Sequence, residues 1–239
     1  MELGEWKLQL GRRSEGSKSV PNLPLEVIMI ILHRLPVKCL LRFRCVCKSW
    51  RQLINEPIFV EMHLRRSIEN NLSLIISKDL NHFYSIDYDV CDDEKRAVKL
   101  DETQFPNFRI VGSCNGLLCL ANQKNVFLWN PSTREFKQLP DFAVKFQGRI
   151  VNSWGLGYDP KAKEYKVIRI VNIYNAELGS LPHPTEVMVC TLGTDLWRSL
   201  GNVPWFIYFC SSRVLATVVD GVPHWRETGF FYRTSYHFL

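Results

Sequence analysis

The fold is decided by residues 23–54, LPLEVIMIILHRLPVKCLLRFRCVCKSWRQLI. Apolar residues recur in this stretch at the i, i+3, i+4 and i+7 spacing that places side chains on one face of a helix. The spacing predicts two amphipathic helices, with apolar faces made of Ile28, Ile31, Leu32 and Leu35 in the first and of Val46, Trp50, Leu53 and Ile54 in the second.

A proline separates these two helices. Pro36 ends the first one, because its ring cannot occupy a helix interior, and Val37, Leu40 and Leu41 predict a short middle helix. Further on, Asn55-Glu56-Pro57 is a stop signal, and residues 57–64 are interpreted as a short bridge into the next domain. The stretch is thus predicted to be a small three-helix unit.

The first helix is expected to need a partner. Val27 through Leu32 is apolar at every position, and a helix that is apolar all round is buried on all sides. The unit lies near the lower limit of roughly 40 residues for independent folding, so two short neighbours cover only part of that helix. The remaining apolar patch is available to another protein. The alternative is an ordinary helical element packed on its own downstream domain.

The same stretch carries an ordered set of motifs. Leu23-Pro24 is followed by Glu26 and the apolar helix, then by Leu35-Pro36-Val37, Leu40-Leu41-Arg42-Phe43 and Cys45-Val46-Cys47-Lys48-Ser49-Trp50. This order resembles an F-box over residues 21–60, and its sequence is close to that of plant F-box proteins. The resemblance implies binding to the Skp-type adapter of a cullin ubiquitin ligase. It places ten residues in the helical core or at the adapter interface, without separating the two: Leu23, Pro24, Ile28, Ile31, Leu32, Pro36, Val37, Leu40, Val46 and Trp50.

The composition of the 239-residue chain fits one or two globular domains, with 46% apolar and 12% aromatic residues. No apolar run approaches the roughly 20 residues needed to cross a bilayer, and the first residues are charged where a signal peptide is apolar. The protein is therefore expected to be cytoplasmic and/or nuclear, with no membrane partner. The eight cysteines are scattered without a CxxC pair, which predicts buried free thiols and no metal or other cofactor.

The net charge of +6 is concentrated in the helical stretch. Between residues 34 and 51 there is no acidic residue, and the rest of the chain balances 24 basic against 24 acidic residues. This asymmetry predicts an acidic partner surface, or nucleic acid, or a merely solvated face. Nucleic acid ranks behind protein, because the third helix offers Trp50, Leu53 and Ile54 instead of polar groups for base edges. The six basic residues are Arg34, Lys38, Arg42, Arg44, Lys48 and Arg51.

From about residue 72 onward the sequence changes to short β-rich runs with turn residues between them, which predicts an antiparallel all-β domain. The predicted strands are 72–77, 82–87, 108–113, 116–121, 125–130, 165–171, 186–192, 207–212 and 214–219.

A weak repeat runs through this part of the chain. The eight residues 129–136, WNPSTREF, are echoed by residues 158–165, YDPKAKEY, and more loosely by residues 190–197, CTLGTDLW. Asx-Pro starts a turn, polar residues form its tip, and the flanking aromatic residues return on paired strands, so each copy predicts a hairpin. Repeated hairpins indicate a propeller-like array, but the residues available suffice for about four blades at most, which is few for a closed ring.

The β-rich part also resembles the plant F-box-associated β domain. The resemblance rests on Asn115-Gly116-Leu117-Leu118-Cys119, Leu128-Trp129-Asn130-Pro131, Leu139-Pro140, Gly157-Tyr158-Asp159-Pro160, Tyr165-Lys166-Val167, Trp197-Arg198 and Gly221-Val222-Pro223-His224-Trp225. Members of that family usually continue well past the last motif, so the domain is expected to be truncated and its sheet array incomplete. The predicted organisation is an α+β chain with a disordered leader over 1–19, an F-box over 20–62, a linker and first strands over 63–107, and the β domain over 108–239.

No catalytic motif is present: the sequence has no phosphate-binding Gly-rich loop, no HExxH and no nucleophile elbow. The absence of these motifs predicts a protein without enzymatic activity. The F-box resemblance implies a subunit that recruits a target protein, of unknown identity, to a Skp-cullin-F-box ubiquitin ligase. One alternative is a truncated fragment that binds the adapter without a target surface. Another is a carbohydrate- or nucleic-acid-binding module, although Trp129, Trp154, Trp197 and Trp225 are interpreted as core aromatics of the repeated sheets.

Overall fold

The computed structural model describes residues 23–70, 73–78, 82–87, 97–100, 107–122, 124–141, 149–174, 185–194, 196–203, 216–226 and 235–237. The predicted leader over 1–19 and the predicted strand over 207–212 lie outside these residues, as do Cys91 and Cys210. Within them, an N-terminal group of helices is followed by antiparallel sheets, so the predicted α+β class with a propeller-like β domain is confirmed.

Residues 23–70 form a helical unit. Pro24 and Pro36 stand immediately before the first two helices, where the fixed φ of proline suits a helix start, and Pro36 separates those helices as predicted. The interpretation of residues 57–64 as a bridge is wrong, because Pro57 is the first residue of a fourth helix that continues to Asn70. The four helices are α1 Leu25–His33, α2 Val37–Phe43, α3 Lys48–Asn55 and α4 Pro57–Asn70.

The core of the helical unit draws on all four helices. Phe59 in α4 is buried together with five residues of the other helices, which are Met29, Leu32, Leu40, Leu53 and Ile54. Two histidines add polar links between the end of α1 and α4. His33 Nε2 donates to the carbonyl of Met62 at 3.1 Å, and His63 Nε2 donates to the carbonyl of Leu35 at 2.9 Å. The fourth helix is therefore part of the same packed unit.

The remaining described residues form four antiparallel sheets, in each of which the strands pair in chain order. Sheet I contains β1 Ser73–Ser77, β2 Phe83–Asp87 and β3 Val98–Lys99. Sheet II contains β4 Arg109–Cys114, β5 Leu117–Ala121, β6 Val126–Asn130 and β7 Glu135–Gln138. Sheet III contains β8 Arg149–Asp159, β9 Glu164–Tyr174, β10 Thr185–Thr191 and β11 Trp197–Val203. Sheet IV contains β12 Thr217–Val219, β13 Val222–Arg226 and β14 Ser235–His237.

The repeated motif forms hairpins, as the sequence predicts. In the β6–β7 turn, Asn130 Oδ1 accepts hydrogen bonds from the backbone amides of Ser132 and Thr133, and Trp129 lies opposite Phe136. The β8–β9 turn repeats this arrangement with Asp159 as the acceptor, and the Tyr158 and Tyr165 ring centroids are 4.8 Å apart. In the third copy Cys190 pairs with Trp197. The hydrogen bonds of the Asn130 and Asp159 side chains therefore set the register of the first two hairpins, and the third copy shows the same strand pairing.

The sheets pack face to face through apolar clusters. One cluster joins sheets I and II around Phe83, Phe108 and Trp129, and a second joins sheets II and III around Leu128, Trp154 and Val167. Between sheets IV and III, Trp225 Nε1 donates to Ser153 Oγ at 2.9 Å. The first strands of sheets II, III and IV, which are β4, β8 and β12, contact one another.

Glycines allow this close approach of β8 to sheet IV. A Cβ on Gly155 would lie 2.7 Å from Cζ2 of the buried Trp225, and one on Gly157 would lie 2.7 Å from the carbonyl oxygen of Gly221. That carbonyl accepts a 2.8 Å hydrogen bond from the backbone amide of Tyr158. Gly221 itself has φ +81, which a residue with a side chain rarely adopts. Two signature motifs therefore meet at a contact between sheets.

Candidate functional site

The structure divides the ten residues of the predicted adapter site into buried and exposed groups. Leu32 and Leu40 are buried in the helical core, and Ile28 and Trp50 pack against that core. Val37 is half-buried. The exposed residues are Leu23, Pro24, Ile31, Pro36 and Val46. The buried residues therefore hold the helical unit together, and the exposed ones are candidates for contact with another protein.

Helix α1 has two apolar faces. Met29 and Leu32 face the core, and Leu32 is only 1% exposed. On the opposite side, Val27 and Ile31 lie four residues apart and are 38% and 47% exposed. The sequence pattern grouped Ile31 with Ile28 and Leu32 on one apolar stripe, without separating core residues from interface residues. In the structure Met29 fills the core and Ile31 is exposed. A small unit without a further layer of helices leaves the second face uncovered.

Two exposed apolar residues on this second face of α1 were not among the ten residues of the predicted adapter site. Val27 and Ile30 are both exposed and lie on the same side of α1 as Ile31. The signal for them was present in the run of six apolar residues, since such a run must place apolar side chains outward as well as inward. We call Val27, Ile30 and Ile31, together with Leu23 two residues before the helix, the outer face of α1.

The turn between α2 and α3 also exposes an apolar side chain. Val46 is 61% exposed and lies outside the helix, so its predicted place on the apolar face of the third helix is wrong. Next to it, Cys47 stands just before α3, and its Sγ lies 3.1 Å from Ser49 Oγ. That hydrogen bond, with backbone amides at the helix start, lowers the pKa of the Cys47 thiol.

The predicted buried thiols are found only in part. Cys114, Cys119 and Cys190 are buried in the β domain, where burial raises the pKa of Cys114 to about 11. Cys45 and Cys47 are exposed, which contradicts the prediction for the helical unit, because they lie in and just after the turn between α2 and α3 and not in the helical core. All six described cysteines are free.

Basic side chains accompany the exposed apolar ones. Of the six basic residues between 34 and 51, Arg44 is half-buried and the other five are exposed. We call these the five exposed cations, and they are Arg34, Lys38, Arg42, Lys48 and Arg51. Within the part of the chain that the structure describes, none of them forms an ion pair. The helical unit therefore combines exposed apolar residues with five positive charges that are not paired with any carboxylate among the described residues.

The four tryptophans that the structure describes in the β domain pack into its interior. Trp129, Trp154 and Trp225 are buried, and Trp197 is half-buried with its Nε1 donating to the carbonyl of Pro140 at 2.9 Å. The Trp154 and Trp197 rings meet edge to face at 6.0 Å. The interpretation of these residues as core aromatics is confirmed, since three of them are buried and Trp197 packs against the same core.

Family comparisons cover both parts of the chain. Residues 20–61 match the F-box domain, and residues 71–225 match the F-box associated beta propeller domain. The chain belongs to the F-box proteins that carry an F-box associated beta propeller domain. Both resemblances seen in the sequence are thereby confirmed, and the matched F-box segment contains the outer face of α1, the Val46 turn and all five exposed cations.

Similar proteins are known from Arabidopsis thaliana. The chain is 32% identical over 195 residues to F-box protein CPR1, a match that covers 76% of this chain and 46% of that protein. It is 31% identical over 224 residues to F-box protein At5g49610, covering 87% of this chain and 59% of the relative. It is 26% identical to F-box/kelch-repeat protein At3g23880, with the same two coverages. The chain spans about half the length of the curated relatives it matches.

No helix among the described residues is long and apolar enough to span a membrane. Among the same residues, no three histidine, cysteine or acidic side chains stand close enough together to hold a metal ion.

Proposed function

We propose that this F-box protein is a substrate-recognition subunit of a Skp-cullin-F-box ubiquitin ligase. In this proposal the helical unit binds a Skp-type adapter, and through it a cullin, while the β domain binds a target protein. The chain makes and breaks no bond itself. It raises the effective concentration of a target lysine near the ubiquitin-conjugating enzyme that the ligase carries.

The observation that supports adapter binding most strongly is the outer face of α1. The four helices bury a complete core around Leu32, yet Leu23 and Ile31 remain 58% and 47% exposed within the matched F-box segment. Exposed apolar residues grouped on one helix face are typical of a protein interface. Because their burial is not needed for the core, they are available for a partner that lays an apolar groove over α1.

The proposal for the β domain rests on its turns. The β6–β7 and β8–β9 turns, at residues 131–134 and 160–163, carry mainly polar and charged side chains on rigid paired strands. Loops held by such a scaffold are a common place for recognition. The identity of the target does not follow from the fold.

The division of the chain is also a proposal. The predicted F-box limit at residue 62 falls inside α4. Phe59 of α4 packs in the helical core, and His63 of α4 donates a hydrogen bond to the carbonyl of Leu35, just after α1. We therefore place the boundary after Asn70, where the helical unit ends and the β domain begins.

Co-expression with a Skp-type adapter tests the adapter role. We expect wild type to elute in size-exclusion chromatography as a one-to-one complex, and Leu23→Asp/Ile31→Asp to elute without the adapter, because two carboxylates would be buried unpaired. The matched control is Ile68→Asp/Leu196→Asp, which alters two exposed apolar residues beyond the matched F-box segment and is expected to retain the complex. Failure of wild type to form the complex would sink the proposal, and so would a complex that survives in the Leu23/Ile31 variant.

A further inference from the structure

The five exposed cations occupy the sides of the helices that face away from the core. On α2, Lys38 and Arg42 are four residues apart and flank Leu40, which points into the core. On α1, Arg34 follows Val27 and Ile31 at i+7 and i+3, so it continues the outer face at its C-terminal end. Apolar and basic side chains of the unit therefore share surface on α1.

The acidic residues of the helical unit lie elsewhere in its sequence. Glu26 precedes the basic stretch, and Glu56, Glu61 and Glu69 follow it. Of these, Glu61 pairs with Lys163 of the β domain at 3.0 Å. Between residues 34 and 51 no carboxylate is present to neutralise the cations, so their field extends into solvent over roughly a Debye length of 8 Å at physiological salt.

From this arrangement we infer that the partner of the F-box surface presents an apolar groove with an acidic rim along one side, and that the five exposed cations steer its approach. The inference rests on the proposed adapter function and adds the chemistry of the adapter's contact face. Uncompensated charge at the edge of an interface acts mainly on the association rate, because it attracts the partner before the apolar contacts form.

A protein partner fits this surface better than nucleic acid. A phosphate backbone would satisfy the cations but would leave Val27, Ile31 and Val46 exposed to water. An acidic protein surface with an apolar centre satisfies both sets of side chains at once.

Association kinetics test the inference on the full chain. The rate constant for binding a purified Skp-type adapter is measured at low and high salt for wild type and for Lys38→Glu/Arg42→Glu, which changes two exposed positions without touching the apolar face. The control is Lys124→Glu/Lys161→Glu, which makes the same change of net charge on exposed turns of the β domain. We expect the α2 variant to associate roughly tenfold more slowly than wild type at low salt, with the difference largely lost at high salt, and the control to match wild type.

The possible outcomes separate this inference from the proposed function. If both double variants associate more slowly by the same salt-dependent factor, steering by the helical unit in particular is overturned. If neither variant changes the association rate constant, the acidic rim is overturned, while the proposal of adapter binding stands. Absence of adapter binding by wild type at any salt would overturn both proposals. A DNA or RNA duplex that binds as tightly as the adapter and displaces it would overturn the assignment of the cations to a protein partner.

Discussion

The helical unit and the β domain use their signature residues in opposite ways. In the β domain, the motif residues Leu128, Trp129 and Trp225 point inward and join one sheet to the next. In the helical unit, half of the ten motif residues remain on the outside, with Ile31 exposed beside the buried Leu32. The residue pattern therefore specifies packing in the β domain. In the helical unit it specifies packing together with exposed apolar residues, for which we propose a role in contact.

The difference follows from size and layering. Each inner sheet of the β domain has a neighbouring sheet on both sides, so Trp129 and Trp154 are covered by the sheets next to their own. Four short helices can surround only one small core, and Val27, Ile30 and Ile31 on the second face of α1 stay exposed. Exposed apolar residues add little to the stability of the free chain, and we propose a role in binding for them.

Adjacent residues of α1 give the sharpest test of this comparison. We expect Leu32→Ala to lower the free energy of unfolding of the helical unit by about 2–5 kcal/mol, because it removes a fully buried side chain. We expect Ile31→Ala to change it by about 0.5 kcal/mol or less. Native-state amide hydrogen exchange in α1 and α4 measures both values. Equal effects of the two substitutions would show that α1 is covered on both sides.

A smaller loss of stability is expected when a side chain replaces the glycine at the contact between β8 and sheet IV. Gly155→Ala places a methyl group against the Trp225 ring and Pro223, and we expect it to destabilise the β domain by about 1–3 kcal/mol. Denaturant unfolding followed by tryptophan fluorescence measures this loss. In a Trp225→Leu background the same substitution is expected to cost clearly less, because the ring is no longer there. An unchanged cost would mean that the glycine serves something other than this contact.

The smallest effect concerns the two related hairpins and pH. A 2.6 Å hydrogen bond from Lys166 Nζ, with amide hydrogen bonds from Ala162 and Lys161, lowers the pKa of Asp159 from 3.8 to about 2. Its contribution to stability is therefore complete above about pH 4 and is lost as pH falls through about 2. Asp159→Asn keeps the turn acceptor that Asn130 provides in the other hairpin, and it should remove this acid dependence. Amide chemical shifts of residues 161 and 162, followed against pH, measure it, and an unchanged titration in the variant would contradict this assignment.

Local chemistry made part of this structure predictable. The hairpins followed from Asn130 and Asp159, because an Asx side chain shapes its own turn without help from distant residues. The boundary at Pro36 followed in the same way from the proline ring. The helix starting at Pro57 was missed because a proline was interpreted only as an end, although it is also favoured at the first helical position.

Other features depend on contacts that a single sequence does not contain. Strand β8 was not predicted, since Gly155 and Gly157 interrupt its β-rich pattern, and their purpose appears only against Trp225 and Gly221 of sheet IV. Likewise, the sequence does not decide which apolar residues of α1 face the core, because Val27 to Leu32 is apolar at every position and more than one helical stripe fits it. Exposure in the folded chain was needed to separate Ile31 from Leu32.

We propose that the outer face of α1 is a contact surface and not an unfinished part of the core. Calorimetry tests this by comparing the affinities of wild type, Ile31→Ala and Ile68→Ala for a Skp-type adapter, since both isoleucines are about half exposed. We expect Ile31→Ala to weaken binding by at least about 1 kcal/mol and Ile68→Ala to leave it unchanged. Equal affinities for wild type and both variants would contradict it.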